Sequence, residues 1–478
     1  MNVREGFSKL NQMYSTRFDF GISSYLISGF VLVLFSWIHY YNTGSIIVDN
    51  NSIQPFWFNL VCSFLVAITV VLLALNTYSL IKSPTEFSNQ KLRTIFYPLV
   101  ILSGAMLPLF SNDFFSFIGY ADVSFQGCHV YSDPTCSNLS VFVDYINPIY
   151  RNVACKYGPF NLYIALFSFK LGGVSILNCY FWYKSVLVIF GFLYIEAALL
   201  IKQIKDVEIN YKWILFNPIW WLQGVEQGHN DFFSIVFVLW AFYFLLKKWS
   251  ILSIIAIVMS IFFKYTYIFL LILPVLYEIY VERKWLSITI IKRGLQTLVI
   301  FIGIALLCYT PFVSQYSDII DSFKVMSTGG PSSTFSDIAS FIALSIHNNF
   351  EQNYTIIMPI FNAIGFLLLV ILGFRYFYKE RFLDIKELFR LLLQLFLVMV
   401  FVYSHRFLPW YLMVVPILIS FVNTKEWSVY FIILFIFSTF QDISVMISTN
   451  EMIGQVLMVI STLVVVFFNF YKLRERFY

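Results

Sequence analysis

The chain has 478 residues, of which 59% are hydrophobic, 20% are aromatic and only 12% are charged. A soluble domain of average composition carries roughly 25% charged residues, so the composition excludes an ordinary soluble protein and favours an integral membrane protein. The formal net charge of +5 comes from short clusters of Lys and Arg between apolar segments. Such clusters are typical of membrane topology, and they argue against a nucleic-acid partner.

Apolar segments recur along the whole chain, and several reach the length of about 20 residues that a helix needs to cross a bilayer. They predict an all-α, polytopic transmembrane helical bundle with about 14 crossings and membrane lipids around it, built as a single domain over residues 1–478. With the N-terminus inside, most of the 31 Lys and Arg fall in inside loops, as the positive-inside rule requires. The predicted segments are 21–41, 57–81, 94–110, 173–201, 213–226, 231–246, 250–263, 265–281, 295–313, 354–374, 391–404, 408–422, 427–447 and 453–471.

This topology places two long loops outside, at 111–172 and 314–353, and loops of such length usually carry function. The first loop begins with Asp113, which is flanked by aromatic residues. A carboxylate in such a place can accept a proton from a hydroxyl, but on position alone an N-cap of the next helix is the simpler role. The loop also contains a segment, 159–171, that could form an interfacial helix.

Cys128 and Cys136 share this first loop, where they could form a short disulfide or remain free thiols. The six cysteines contain no CxxC pair, so a zinc or redox motif is not expected. The expected cofactor set is empty, with no metal ion.

The segment GVEQGHND (224–231) lies between two predicted spans and brings Glu226, His229, Asn230 and Asp231 to the outer edge of the membrane. Polar side chains are costly there unless they serve water, one another or a ligand. Capping of the next helix would explain Asn230 or Asp231 but leaves Glu226 and His229 without a role, so we favour a functional cluster.

Lys264 and Tyr265 stand between two apolar segments at the predicted outer surface. A half-buried cation beside tyrosines suits a phosphate group, while snorkelling of the lysine to the interface is the structural alternative.

The segment YSHRFLPWYLMVVP (403–416) places His405, Arg406, Trp410 and Tyr411 at another outer turn. The two rings could belong to an interfacial aromatic belt or could stack on a sugar.

One topology therefore gathers acids and cations from separate regions at a single face of the membrane. This combination suits a phosphorylated substrate, because cations stabilise a phosphate leaving group while a carboxylate deprotonates the attacking hydroxyl. HExxH, GxSxG, Walker A and GxGxxG motifs are missing in supporting contexts, which disfavours hydrolysis, ATP use and dinucleotide binding.

With these residues the sequence resembles the polyprenol-phosphate-sugar-dependent glycosyltransferases of the GT-C class, and most closely the bacterial mannosyltransferases that use polyprenol-phosphate mannose. The most specific similarity is the NP…GHND block followed by a Lys-bearing span, and YGPF is moderately specific. The similar segments are NDFFSFIGYADVSFQG (112–127), KYGPFNLYIALF (156–167), FNPIWWLQGVEQGHNDFFSIVFVLWAFYFLL (216–246), FKYTYIFLLILP (263–274) and FLPWYLMVVP (407–416).

The resemblance implies a GT-C fold in the inner or plasma membrane, with the active site facing outside and Asp113 as the general base. It implies a polyprenyl-phosphate hexose donor, with mannose the expected sugar, and an envelope glycan or glycolipid as the acceptor. His229, Asn230, Asp231, Lys264, Tyr265, His405, Arg406, Trp410 and Tyr411 are then expected to bind the donor or substrate. CHVYSDPTC (128–136) departs from the family pattern and segments beyond 427 match none of it, which affects the acceptor more than the reaction.

Two other functions remain open from sequence. A transporter or flippase for lipid-linked glycans or small solutes would place ionisable residues inside its spans, whereas here they collect at one end. A polymerase or ligase of lipid-linked glycans would usually present more external arginines than Arg151 and Arg406.

Overall fold

A computed structural model describes residues 73–107, 113–146, 151–284, 287–313, 384–398 and 409–422, most of 26–38, and the single positions 69, 315, 317, 318 and 367. Apart from those positions, residues 57–72 of the predicted segment 57–81, the predicted segments 354–374, 427–447 and 453–471, and the predicted loop 314–353 lie outside the described residues.

All regular secondary structure in the described part of the chain is helical, which confirms the prediction of an all-α fold. The α-helices are α1 (Asn89–Ala105), α2 (Asp113–Phe125), α3 (Pro159–Gly172), α4 (Ile176–Lys202), α5 (Lys212–Leu215), α6 (Asp231–Leu246), α7 (Ser250–Phe263), α8 (Leu273–Glu282), α9 (Ile288–Tyr309), α10 (Ile385–Val398) and α11 (Val415–Val422). Short 3-10 helices are Cys136–Leu139, Val143–Tyr145, Tyr265–Ile272, Thr310–Phe312 and Pro409–Val414, and Trp220–Glu226 is a π-helix.

Three of the described helical stretches are long and apolar enough to cross a membrane, namely Ile176–Lys202, Tyr265–Glu282 and Ile288–Phe312. The last of these keeps large apolar side chains at its surface, including Val299 at 67% exposed and Leu307 at 76%. Surface of this kind is stable in lipid and costly in water. The protein is therefore a membrane protein, and the number of about 14 crossings stays a prediction.

Helices α6 and α7 form an antiparallel pair that is joined by the turn at 247–249. The Ser234 hydroxyl donates to the carbonyl of Ser260 (2.9 Å), and the Ser253 hydroxyl donates to the carbonyl of Ala241 (3.0 Å). Small hydroxyl residues let apolar helices approach closely and bond across the contact. Both helices begin and end where the sequence predicts.

The predicted span 213–226 is not one helix. Pro218 cannot donate a backbone hydrogen bond, and Asn217 Oδ1 instead accepts from the Ile219 amide (3.1 Å), so α5 stops and the π-helix Trp220–Glu226 follows. The buried ammonium of Lys184 in α4 donates to the carbonyls of Val225 and Glu226 at the end of that π-helix. These bonds fix the chain immediately before the GHND residues.

Helix α9 begins seven residues before the predicted segment 295–313 because Ser287 caps it by accepting from the Ile290 amide (3.2 Å). Its first turns contain Lys292 and Arg293, which lower the local hydropathy, so the apolar pattern begins only after them.

In the first predicted external loop, Cys128 and Cys136 are joined by a disulfide, with Cα atoms 6.1 Å apart. The segment predicted as an interfacial helix is α3, which starts at Pro159, a residue suited to the first turn of a helix. Its Phe167 and Leu171 are each 48% exposed, whereas Asn161 is buried.

Candidate active site

Four separate parts of the chain meet at one end of α6 and α7. Asp113 is the first residue of α2, and the GHND residues occupy the turn into α6. Lys264 adopts an extended conformation (φ −148°) between α7 and the 3-10 helix Tyr265–Ile272. Trp410 and Tyr411 enter from the 3-10 helix Pro409–Val414. The structure thus brings together residues that the sequence placed at a common face.

The carboxylate of Asp113 contacts residues from two other elements. Its Oδ2 lies 3.4 Å from Nδ1 of His229, and the Tyr157 hydroxyl is 3.5 Å from its Oδ1. The indole of Trp410 stacks on the far side of the His229 ring, with centroids 3.6 Å apart and planes 22° from parallel. Asp113 does begin a helix, as an N-cap would, but its side chain also connects that helix to the GHND segment.

Lys264 forms the second pair of the site. Its Nζ lies 3.0 Å from Oδ2 of Asp231. The same ammonium lies 5.4 Å from the ring centroid of Tyr411 and 5.9 Å from that of Tyr157. Lys264 therefore turns toward a carboxylate and two aromatic rings, which is a defined position for a cation and not simple snorkelling.

Exposure divides each pair into an accessible member and a buried one. The side chains of Asp113 and Lys264 are 16% and 14% exposed, whereas those of His229 and Asp231 are 1% and 0% exposed. Asp113 and Lys264 therefore keep some accessible surface, and each contacts a partner that has almost none.

Asn230 also holds the GHND turn in place, through a hydrogen bond to the backbone of α7. It occupies the N-cap position of α6, but its side chain makes no capping bond, and its Nδ2 donates to the carbonyl of Phe263 (3.1 Å). That bond ties the GHND turn to the last residue of α7, next to Lys264.

The electrostatic setting keeps Asp113 ionised. Burial alone would raise the pKa of this carboxyl, but the hydrogen bond and charge of His229, followed by the charges of Lys156 and Lys264, lower it to about 2 from the ordinary 3.8. The site thus holds an anion and a cation ready at neutral pH.

Comparison with protein families gives a match over residues 26–281 to the alpha-(1->6)-mannopyranosyltransferase N-terminal domain family. The chain belongs to this family. It is a mannosyltransferase, and hence a glycosyltransferase enzyme, as the sequence predicted. Comparison with individual curated proteins gives no match.

The family match covers Asp113, Tyr157, His229, Asp231 and Lys264 of the mannosyltransferase and ends before Trp410 and Tyr411. The ion pairs therefore lie in the matched part, while the rings that pack on His229 and Lys264 come from later in the chain.

Gly158 brings the YGPF segment into contact with this site. A Cβ atom at position 158 would lie 1.9 Å from the carbonyl oxygen of Phe262, so only glycine permits α3 to start against the end of α7. This contact places Tyr157 between Asp113 and Lys264, and it explains why the mannosyltransferase carries glycine at this position.

Tyr157 and Lys156 are functional candidates that the sequence reasoning missed. The ammonium of Lys156 lies 5.6 Å from the ring centroid of Tyr157, so two lysines flank one tyrosine beside Asp113. The sequence does contain a signal for them, because Lys156 is one of few predicted external cations and directly precedes the YGPF motif.

Three predicted residues are not brought into this cluster by the described contacts. The Tyr265 hydroxyl contacts the hydroxyl of Tyr309, the last residue of α9. His405 and Arg406 lie outside the described residues.

Proposed function

We propose that this mannosyltransferase transfers a mannosyl group from polyprenyl-phosphate mannose to a hydroxyl of an envelope glycan or glycolipid. The proposal includes a GT-C fold with multiple membrane crossings, an active site on the non-cytoplasmic side, and Asp113 as the general base. The observation that carries it is the adjacent arrangement of an accessible carboxylate and an accessible ammonium around Tyr157, each held by a buried partner.

In the proposed reaction the acceptor oxygen attacks the anomeric carbon while the bond from that carbon to the phosphate oxygen breaks. The electron pair of the broken bond leaves with polyprenyl phosphate, and the acceptor proton passes to Asp113 and then to solvent. A single displacement inverts the anomeric centre, so a β-linked donor gives an α-linked mannoside.

Lys264 is the proposed partner of the phosphate, because its partly exposed ammonium lies beside Tyr157, whose hydroxyl contacts Asp113, and its charge can stabilise the leaving group. Arg406 is the proposed second cation, and together the two supply the charge that a monophosphate donor requires. Tyr411 and Trp410 offer aromatic surface at the same place for the sugar.

A low pKa makes Asp113 a weak base in the resting enzyme, which fits a late proton transfer. The acceptor hydroxyl becomes strongly acidic only as its bond to the anomeric carbon forms, and a carboxylate held in contact with His229 is then ready to accept the proton.

The test is a transfer assay with the full-length enzyme in membranes, in which polyprenyl-phosphate mannose, polyprenyl-phosphate glucose and nucleotide sugars are offered separately with an envelope lipid extract. We expect transfer from the mannosyl lipid alone, and Asp113→Asn should lower kcat by about 100-fold or more with donor binding retained.

Asp144→Asn is the matched control, because Asp144 is an exposed carboxylate in the same loop, and its activity should equal that of the wild type. Transfer from a nucleotide sugar would refute the donor, and full activity of the Asp113 variant would remove Asp113 from the mechanism.

A further inference from the structure

A surface cavity with charged residues in its lining lies at the opposite end of the helices from the candidate active site. Helix α9 starts at this cavity and ends at Tyr309 near Lys264, a distance of about 30 Å for 22 residues. The cavity has a volume of about 510 Å³. Its lining combines the cations Lys248, Lys292 and Arg293 with the apolar side chains of Trp249, Ile251 and Leu252.

The cavity has more positive than negative charge. Arg293 is neutralised by Glu278, with Nη2 and Oε1 2.6 Å apart. Lys248 and Lys292 also line the cavity, and neither has an ion-pair partner among the described residues. The backbone of Lys248 lies in the left-handed region (φ 62°), which a glycine would adopt with less strain.

An apolar groove continues from this cavity along the surface of α9. It has a volume of about 530 Å³ and shares Ile251, Lys292 and Gln296 with the surface cavity. The remainder of its lining is aliphatic and comes from Ile288, Ile291, Leu295, Val299 and Ile300. Leu295 is 59% exposed and Val299 is 67% exposed, so the groove opens toward the surroundings of the helix.

We propose that this cavity and groove bind an anionic phospholipid, with its phosphate between Lys248 and Lys292 and an acyl chain along α9. The lysines match the charge of the headgroup, and the groove begins where the headgroup ends, which is the order of polar and apolar parts in a lipid. A free phosphate would use only the cavity. The site is separate from the proposed transfer reaction and does not depend on it.

The test is native mass spectrometry of the full-length protein in detergent, titrated with phosphatidylglycerol or with phosphatidylcholine of the same acyl chains. We expect preferential retention of phosphatidylglycerol. Lys248→Ala combined with Lys292→Ala should weaken its binding by about 25-fold, since each lysine near an anionic lipid contributes a factor of about 5.

Lys91→Ala combined with Lys284→Ala is the charge-matched control, because both lysines are exposed and neither lines the cavity. Leu295→Ser combined with Val299→Ser tests the groove and should weaken phosphatidylglycerol binding without affecting a soluble glycerol phosphate. Equal binding of the two lipids, an unchanged affinity in the Lys248 and Lys292 variant, or displacement of the lipid by millimolar inorganic phosphate would overturn the proposal.

Discussion

The Lys264–Asp231 pair allows the structural and catalytic roles of a charge to be separated. Asp231 is fully buried with its Oδ2 3.0 Å from Nζ of Lys264. Lys264→Gln leaves this carboxylate without its counter-ion, and we expect it to lower the free energy of unfolding by about 3–5 kcal/mol. Asp231→Asn should cost less, because the ammonium of Lys264 is 14% exposed and can remain solvated.

The double variant Lys264→Gln, Asp231→Asn replaces the ion pair with two neutral amides of similar shape. It should regain most of the lost stability, since replacing a whole buried pair costs far less than removing one member. Equilibrium unfolding of the wild type and the three variants in mixed micelles gives the four free energies of this cycle.

Transfer activity then distinguishes the roles. If Lys264 binds the donor phosphate, the double variant is folded but transfers poorly, with a raised KM for the donor. A double variant that is both stable and fully active would show that Lys264 only neutralises Asp231. A Lys264→Gln variant as stable as the wild type would refute the reasoning about the buried pair.

The other predictions concern the surroundings of Asp113. The lowered pKa of Asp113, about 2, means that its ionised form contributes stability above about pH 4 and that this contribution is lost as the pH falls toward 2. His229→Gln removes the contact that most lowers the pKa of Asp113, so that pKa should rise and transfer should be lost at a higher pH on acidification; an unchanged acid limb in the pH–rate profile would contradict this. Gly158→Ala should destabilise the protein by about 1–3 kcal/mol or more, because the new Cβ meets a backbone carbonyl of α7, whereas Gly303→Ala, with nothing within 4 Å, should be neutral or slightly stabilising in the same unfolding assay. Trp410→Leu should lower kcat by loss of the ring packed on His229, and Trp410→Phe should recover part of it; equal kcat for both variants would show that stacking does not matter.

The sequence predicted the helices best where charge and apolar content change abruptly. Helices α6 and α7 are bounded by Asp231, by Lys247 and Lys248, and by Lys264, so their ends are visible in the residue types alone. The prediction of one helix over 213–226 is wrong, because Pro218 and the hydrogen bond that Asn217 accepts from Ile219 interrupt an apolar segment that is continuous by hydropathy.

The same contrast applies to the site. The predicted topology places Asp113, His229 and Lys264 on the same side of the membrane. Each lies near the end of an apolar segment, and the order of the segments decides on which side of the membrane that end lies. The pairing could not be predicted, since it depends on how α2 and α7 approach the GHND turn. The position of Tyr157 beside Asp113 could not be predicted either, because it depends on the contact that Gly158 makes with the end of α7.

The three consecutive residues after Gly228 each hold a different part of the enzyme. His229 contacts Asp113 at the start of α2, Asn230 binds the last carbonyl of α7, and Asp231 pairs with Lys264. All three side chains are buried, so the segment holds the accessible groups in position, and its predicted contact with the donor stays a prediction. Lys184 adds a further layer, since its bonds to the π-helix fix the segment from the side of α4. A lone lysine in an apolar span thus supports the turn whose side chains contact Asp113 and pair with Lys264, two residues from separate parts of the chain.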